Sequence, residues 1–200
     1  MERLMTRKGQ VIQDPPFVRR LLNTPWAGWI WLPFRIWLGL KWLTSGLGKV
    51  SNPDWFQSGE ALRGFWSFAV SVPESGRPPI AFDWYRAFIQ SLLDAQAWTW
   101  FAKLVVIGEI VIGAALILGA FTGIAAFAGG LMNWNFMMAG SASVNPVFFV
   151  ISVGLILAWK VSGRVGADFF LLPWIGTPWR RPTAETASAP RPAPAEPTPA

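Results

Sequence analysis

The chain has 200 residues, of which 52% are apolar and 14% are charged, and its mean hydropathy is +0.36. This composition excludes an ordinary water-soluble domain and is typical of an integral membrane protein. Cysteine and histidine are both absent, which excludes a Cys/His zinc site, a cysteine-ligated iron–sulfur cluster and a His-ligated haem. The net charge of +6 does not indicate nucleic-acid binding, because the basic residues are not gathered on one water-soluble face.

Residues 1–25 form an N-terminal segment that precedes the first predicted membrane helix. The segment Trp26–Pro33 is rich in aromatic residues and leads into the first membrane helix. Pro33 suits the first turn of that helix, which runs to about Val50. An earlier start with a kink at Pro33 is the alternative.

One face of this first helix carries Arg35, Gly39, Trp42, Gly46 and Lys49, which are spaced by 4, 3, 4 and 3 residues. Glycines on such a face let a neighbouring helix approach closely. The face is therefore predicted to point into a helix bundle, with one cation near each of its ends.

Residues 51–97 are predicted to form an outer cap between the first and second membrane helices. A helix is expected from Asp54 to Val70, then a loop at Pro73–Pro79, then an amphipathic helix from Phe82 to Leu93. Its many aromatic residues are typical of a structure at the membrane interface.

Fifty consecutive residues, 110–159, contain no Asp, Glu, Lys or Arg. One bilayer crossing needs about 20 apolar residues, so this run predicts more than one membrane helix. The second span is placed at about Trp98–Ala120, the third at Phe121–Gly140 and the fourth at Pro146–Ser162, with short turns that make neighbours antiparallel. The Pro/Ala-rich segment Thr177–Ala200 is predicted to be a disordered cytoplasmic tail.

The distribution of Lys and Arg predicts the orientation of the four spans. Five cations lie before the first span and five from Lys160 onward, whereas residues 51–97 carry only three against five acidic residues. Both termini are therefore expected in the cytoplasm, with the cap outside.

Glu109 lies near the middle of the second span, where a charged group costs at least a few kcal/mol unless it has a partner. It is the predicted catalytic residue, acting in proton exchange; the alternative is a structural lock between helices. Lys41 lies at about the same depth if the first helix begins at Pro33, so a Lys41–Glu109 ion pair is a candidate contact.

Asn133 lies on a face of the third span that is rich in small residues, and it is a candidate hydrogen-bond partner for Glu109. The alternative is that its amide only joins helices. Most of the 14 tryptophans are explained by interfacial belts and cap packing. Trp42 and Trp134 lie nearer mid-membrane, where a quinone ring could stack.

Several short segments together resemble the DoxX family of small membrane proteins, over about residues 26–179. They include Ser45-Gly-Leu-Gly-Lys49, Asn52-Pro-Asp-Trp55, Asp83-Trp-Tyr-Arg-Ala-Phe88, Gly108-Glu109, Gly119-Ala-Phe-Thr-Gly123, Asn133-Trp-Asn-Phe136, Asn145-Pro-Val147 and Leu171-Leu-Pro173. The nearest branch is similar to DoxD, the large membrane subunit of thiosulfate:quinone oxidoreductase. Two positions depart from the pattern: Lys41 is charged, and no Arg follows Asp168.

The resemblance implies an all-α, four-helix membrane bundle in a bacterial or archaeal cytoplasmic membrane, and the quinone pool as a partner. It implies a non-covalently bound quinone, thiosulfate or another small molecule as electron donor, and other membrane subunits. Beside Glu109, the residues predicted to bind quinone or substrate are Arg35, Lys49, Trp42, Asn133 and Trp134.

Two functions remain open from the sequence. The chain could pass electrons from the donor to quinone, with the donor held by outer cations: Lys49, Arg63, Arg86 and Lys103. Alternatively it could be a non-catalytic accessory subunit of a larger respiratory or photosynthetic complex, which the absence of His and Cys and the Trp-rich exterior favour.

Overall fold

The computed structural model describes residues 14–176, and every regular element in that range is an α-helix. The prediction of an all-α fold is therefore confirmed for this part of the chain. The helices are α1 (Pro16–Asn23), α2 (Ala27–Val50), α3 (Pro53–Phe56), α4 (Glu60–Val70), α5 (Asp83–Asp94), α6 (Trp98–Leu118), α7 (Thr122–Met138), α8 (Asn145–Leu157), α9 (Trp159–Ser162) and α10 (Asp168–Trp174). The predicted tail, 177–200, lies outside the described residues.

The first long helix takes the earlier of its two predicted starts. It begins at Ala27 and carries Pro33 in its interior. The fourth long helix ends earlier than predicted, at Leu157, and Ala158 separates it from the single turn of α9. The second and third long helices lie within two residues of their predicted bounds.

The predicted cap helix from Asp54 to Val70 is divided into α3 and α4. Gly59 lies between them with a φ of 77°, in the left-handed region that favours glycine. A Cβ at this position would lie 2.4 Å from the backbone oxygen of Trp98. The chain must therefore turn here so that the cap can pass the start of α6.

Four helices, α2, α6, α7 and α8, pack with each neighbour antiparallel. The pair α2–α6 has the most extensive contact and α7–α8 the next. In the first pair backbones nearly touch, because a Cβ on Gly113 would lie 2.5 Å from the backbone nitrogen of Leu43. Glycine at this position sets the register of α2 against α6.

The molecule contains two main hydrophobic cores. The bundle core is built from all four long helices around Leu38, Trp42 and Leu116. The cap, α3–α5, has its own core around Leu62, Trp66 and Ile80, which rests on the first turns of α6. A cleft lies where the cap meets the bundle.

By length and composition, α6 is the one helix within residues 14–176 that is long and apolar enough to cross a membrane; α8 is apolar but has only 13 residues. The outward faces of all four long helices are also apolar. Their exposed large side chains include Trp29, Phe34, Leu40, Leu47, Leu104, Ile107, Val111, Ile124, Phe127, Leu131, Val147, Val150 and Leu157.

Candidate functional site

Glu109 on α6 forms an ion pair with Lys49 on α2. The Lys49 Nζ lies 2.8 Å from Oε1 and 2.7 Å from Oε2 of the carboxylate. The Glu109 side chain is 2% exposed and that of Lys49 is 19% exposed. Gly46 brings the helices together here, because a Cβ on it would lie 3.2 Å from the Cβ of Glu109.

Two further groups contact the Lys49 ammonium. It donates a hydrogen bond of 2.7 Å to Ser45 Oγ, one turn earlier in α2, and it lies 5.1 Å from the centre of the Trp55 ring on α3. The ammonium is thus held by the bundle and the cap together. Ser45 was not predicted as a site residue, although its i to i+4 spacing from Lys49 puts both side chains on one face of the helix.

The candidate pair between Lys41 and Glu109 is not formed. Gly46, not Lys41, lies opposite Glu109, since α2 starts six residues earlier than Pro33 and its register is set by glycine contacts. The Lys41 ammonium instead lies 5.9 Å from the centre of the Trp37 ring, on the exposed side of the helix.

The ion pair lies in a cleft of about 290 Å³ between the cap end of the bundle and the cap itself. Both polar and aromatic side chains line the cleft, which suits a flat ligand with polar edges. The lining residues are Lys41, Trp42, Ser45, Lys49, Trp55, Phe65, Glu109, Asn133, Phe136, Ser141, Val144, Asn145 and Phe148.

Two side chains of the cleft keep buried polar atoms without a hydrogen-bond partner. Asn133 on α7 is 0% exposed, and neither its Nδ2 nor its Oδ1 is paired. The Trp42 Nε1 on α2 is likewise buried and unpaired, and its ring lies 6.4 Å from that of Phe148. Buried polar groups are nearly always satisfied, so these atoms indicate a place for a polar ligand.

The expected hydrogen bond between Asn133 and Glu109 is not present. Lys49 takes both carboxylate oxygens, and the Asn133 amide has no partner. The two side chains nevertheless line the same cleft. The structure therefore brings together Glu109, Lys49, Trp42 and Asn133, and Lys41 also lines the cleft although it does not pair with Glu109.

Trp134 and Arg35 lie elsewhere. Trp134 does not line the cleft, and its ring packs at 6.3 Å against that of Tyr85 in the cap. Arg35 is buried fourteen residues before Lys49 on α2, which is about 21 Å along the helix at about 1.5 Å per residue. Its Nη2 donates to the backbone oxygen of Val165 at 2.7 Å.

A second polar constellation surrounds Arg35 at the far end of the bundle. Asp168 is buried there and accepts hydrogen bonds from the backbone nitrogens of Phe121 (2.5 Å) and Thr122 (2.9 Å). This carboxylate satisfies orphan N–H groups at the start of α7. This role could not be predicted from the sequence, because 46 or 47 residues separate the partners.

Two of the predicted outer cations already have acidic partners within their own helices. Arg63 pairs with Glu60 at 3.0 Å and Arg86 with Asp83 at 2.8 Å. Lys103 is exposed on α6 and does not line the cleft. Lys49 is therefore the predicted donor-binding cation that lies at the site.

Comparisons of the chain with protein-family models, with curated proteins and with solved structures find no match.

Proposed function

We propose that the chain is a four-span membrane protein of the DoxX type that binds the head group of a quinone in the cleft beside Glu109. In this proposal it passes electrons from thiosulfate, or another small donor, to the quinone pool together with a partner subunit. The observation that carries the proposal is the fully buried Asn133 amide, which lacks partners and lines the same cleft as the Lys49–Glu109 pair.

The exterior of the bundle supports the membrane part of the proposal. Apolar side chains cover the outward faces of α2, α6, α7 and α8, and residues 110–159 contain no charged residue. Water would make so large an apolar surface unfavourable, whereas hydrocarbon would not. The Lys/Arg distribution then puts both termini in the cytoplasm and the cap outside.

The residues of the cleft fit a quinone ring. The Asn133 Nδ2 and Trp42 Nε1 supply unpaired N–H donors, which suit the two carbonyl oxygens of such a ring. Phe148 and Phe136 supply aromatic faces in the same cleft, against which a flat ring can stack. In this proposal the hydrogen bonds from Asn133 and Trp42 fix the orientation of the quinone ring.

The Lys49–Glu109 pair would provide charge and protons. Two thiosulfate ions that join through a new S–S bond release two electrons, and a quinone that accepts them takes up two protons to become a quinol. Glu109 is the carboxyl group among the residues that line the cleft, so we assign to it the transfer of protons. Lys49, supported by Ser45, compensates the negative charge.

Binding and turnover of the purified protein test this proposal. A short-chain benzoquinone should quench tryptophan fluorescence with saturation, and Trp42→Phe and Asn133→Leu should each weaken its affinity about tenfold, the loss expected for one hydrogen bond of about 1.4 kcal/mol. Trp134→Phe, outside the cleft, is the matched control and should leave the affinity unchanged.

Glu109→Gln should bind the quinone and stop its reduction by thiosulfate in native membranes, where the partner subunit is present. Full activity in this variant would refute the proton-transfer role. A protein that binds no quinone would refute the proposal as a whole and leave the accessory-subunit hypothesis.

A further inference from the structure

A second cavity, an apolar groove of about 580 Å³, lies between α6 and α7 beneath the cap. Its walls come from both helices and from α4 and α5, and its lining includes Phe88, Leu92, Phe101, Gly108, Met132 and Phe136. A volume of this size lies within the range of about 300–1,000 Å³ that is usual for small-molecule sites.

The groove exists because α6 and α7 pack less extensively on each other than on their partners α2 and α8. Each belongs to a different close pair, α2–α6 or α7–α8. A Cβ built on Gly108 would contact α7 only at the end of the Met132 side chain, whose Sδ lies 3.5 Å away. The rim residues Leu104, Val111 and Leu131 are exposed, so the groove opens on the outer apolar face.

The groove is chemically suited to a hydrocarbon. None of its lining residues is charged. Its Tyr85 hydroxyl already bonds to Asn135, 3.1 Å from Oδ1, and the Asn135 Nδ2 donates to the backbone oxygen of Leu131. No cation is present to hold a phosphate, which argues against a phospholipid as the resident ligand.

The groove and the polar cleft are adjacent. Phe65 of the cap and Phe136 of α7 line both cavities. A ligand with a polar ring in the cleft could therefore extend an apolar chain past these two side chains into the groove and on to the outer surface.

We propose that the groove binds the isoprenoid tail of the quinone whose ring is held in the cleft. This inference rests on the proposed function and adds to it a tail site and a route from the bilayer. Phe65 and Phe136 mark the boundary between ring and tail. The tail reaches the groove from hydrocarbon and not from water, so its contribution to binding comes from close packing against the groove walls.

The test compares two benzoquinones with the same ring, one without a tail and one with a ten-carbon alkyl tail. Gly108→Phe fills the groove, and Gly48→Phe is the matched control, because Gly48 is an exposed helical glycine with no atom within 4 Å of its Cβ position. Dissociation constants are measured by fluorescence quenching in the same detergent, so that partition of the tail into micelles cancels between variants.

Gly108→Phe should weaken binding of the tailed quinone about tenfold, because the added ring occupies the space of the tail. It should leave the affinity for the tail-less ring unchanged, and Gly48→Phe should change neither. If Gly108→Phe also loses affinity for the tail-less quinone, the comparison is repeated with Leu131→Trp at the exposed rim. This variant should weaken binding of the tailed quinone alone, which would attribute the first result to misfolding.

Two results would overturn the inference. Equal affinity of wild type and both groove variants for the tailed quinone would remove the tail site and leave the ring site intact. Copurification of a phospholipid that the tailed quinone fails to displace would assign the groove to lipid. Failure of wild type to bind either quinone would instead refute the proposed function.

Discussion

Lys49 contacts both carboxylate oxygens of Glu109, and the two residues lie on helices whose backbones are brought together by glycine. The pair places one negative and one positive charge where the bundle core meets the cap. Removal of either partner alone would leave a poorly solvated charge, whereas removal of both would not.

Lys49→Met should lower the free energy of unfolding by about 3 kcal/mol, because Glu109 loses its counterion in a buried site. The double variant Lys49→Met/Glu109→Met should recover most of this loss. Thermal unfolding in detergent measures both. Arg63→Ala, which breaks the exposed pair with Glu60, is the control and should cost less than about 1 kcal/mol. An unrecovered double variant would contradict the pairing.

Asn133→Leu should increase the stability of the ligand-free protein while it weakens quinone binding. Each buried polar atom without a partner costs about 1–3 kcal/mol, and Asn133 has two. Asn145→Leu gives the matched comparison, because the Asn145 Nδ2 donates to the backbone oxygen of Ser141 at 2.8 Å and its loss should destabilise. If Asn133→Leu destabilises as strongly as Asn145→Leu, Asn133 is structural.

Gly113→Ala should separate α2 from α6 and reduce stability by about 1–3 kcal/mol, as overpacking of a tight interface usually does. The added Cβ would meet the Leu43 backbone, which cannot move aside as a flexible side chain would. Gly48→Ala, where the space is open, should be neutral or stabilising by up to about 1 kcal/mol. Similar melting temperatures for both variants would refute the close packing.

Arg35→Gln should lower stability without a change in quinone affinity, since Arg35 lies at the far end of α2 from the cleft. A charge-assisted hydrogen bond such as that to Val165 contributes about 1.5–3 kcal/mol. Unfolding and quinone titration of the same preparation separate the two effects. A weakened quinone affinity in a folded Arg35→Gln protein would instead show that Arg35 contributes to quinone binding.

Burial raises the pKa of Tyr85 in the cap above its ordinary value of 10.0. The folded state therefore favours the neutral phenol, and its contribution to stability is full below pH 10 and is lost as pH rises through the raised pKa. Tyr85 is the chain's one tyrosine, so tyrosinate absorbance reports it alone. The titration midpoint should fall on unfolding; Tyr85→Phe should remove that part of the stability loss at high pH.

The long helices could be predicted closely because their signal is local. Apolar runs and the short turn predicted near Phe121–Gly123 placed α6 and α7 to within two residues, and Pro146 placed the start of α8, whereas the end of α8 at Leu157 was not predicted. The face that carries Gly39, Trp42, Gly46 and Lys49 was likewise visible in the helical spacing, and it does point toward α6. Four residues that line the cleft were predicted from the sequence as site residues: Glu109, Lys49, Trp42 and Asn133.

The sequence by itself determined where the long helices form and that Glu109 and Asn133 lie inside the bundle, because both follow from the 3.6-residue period and the cost of polar groups in an apolar segment. The tertiary structure decided which residues meet. Glu109 pairs with Lys49 and not Lys41 because contacts between Gly113 and Leu43 fix the register of two helices. The apolar groove arises in the same way, from how two close pairs of helices sit against each other.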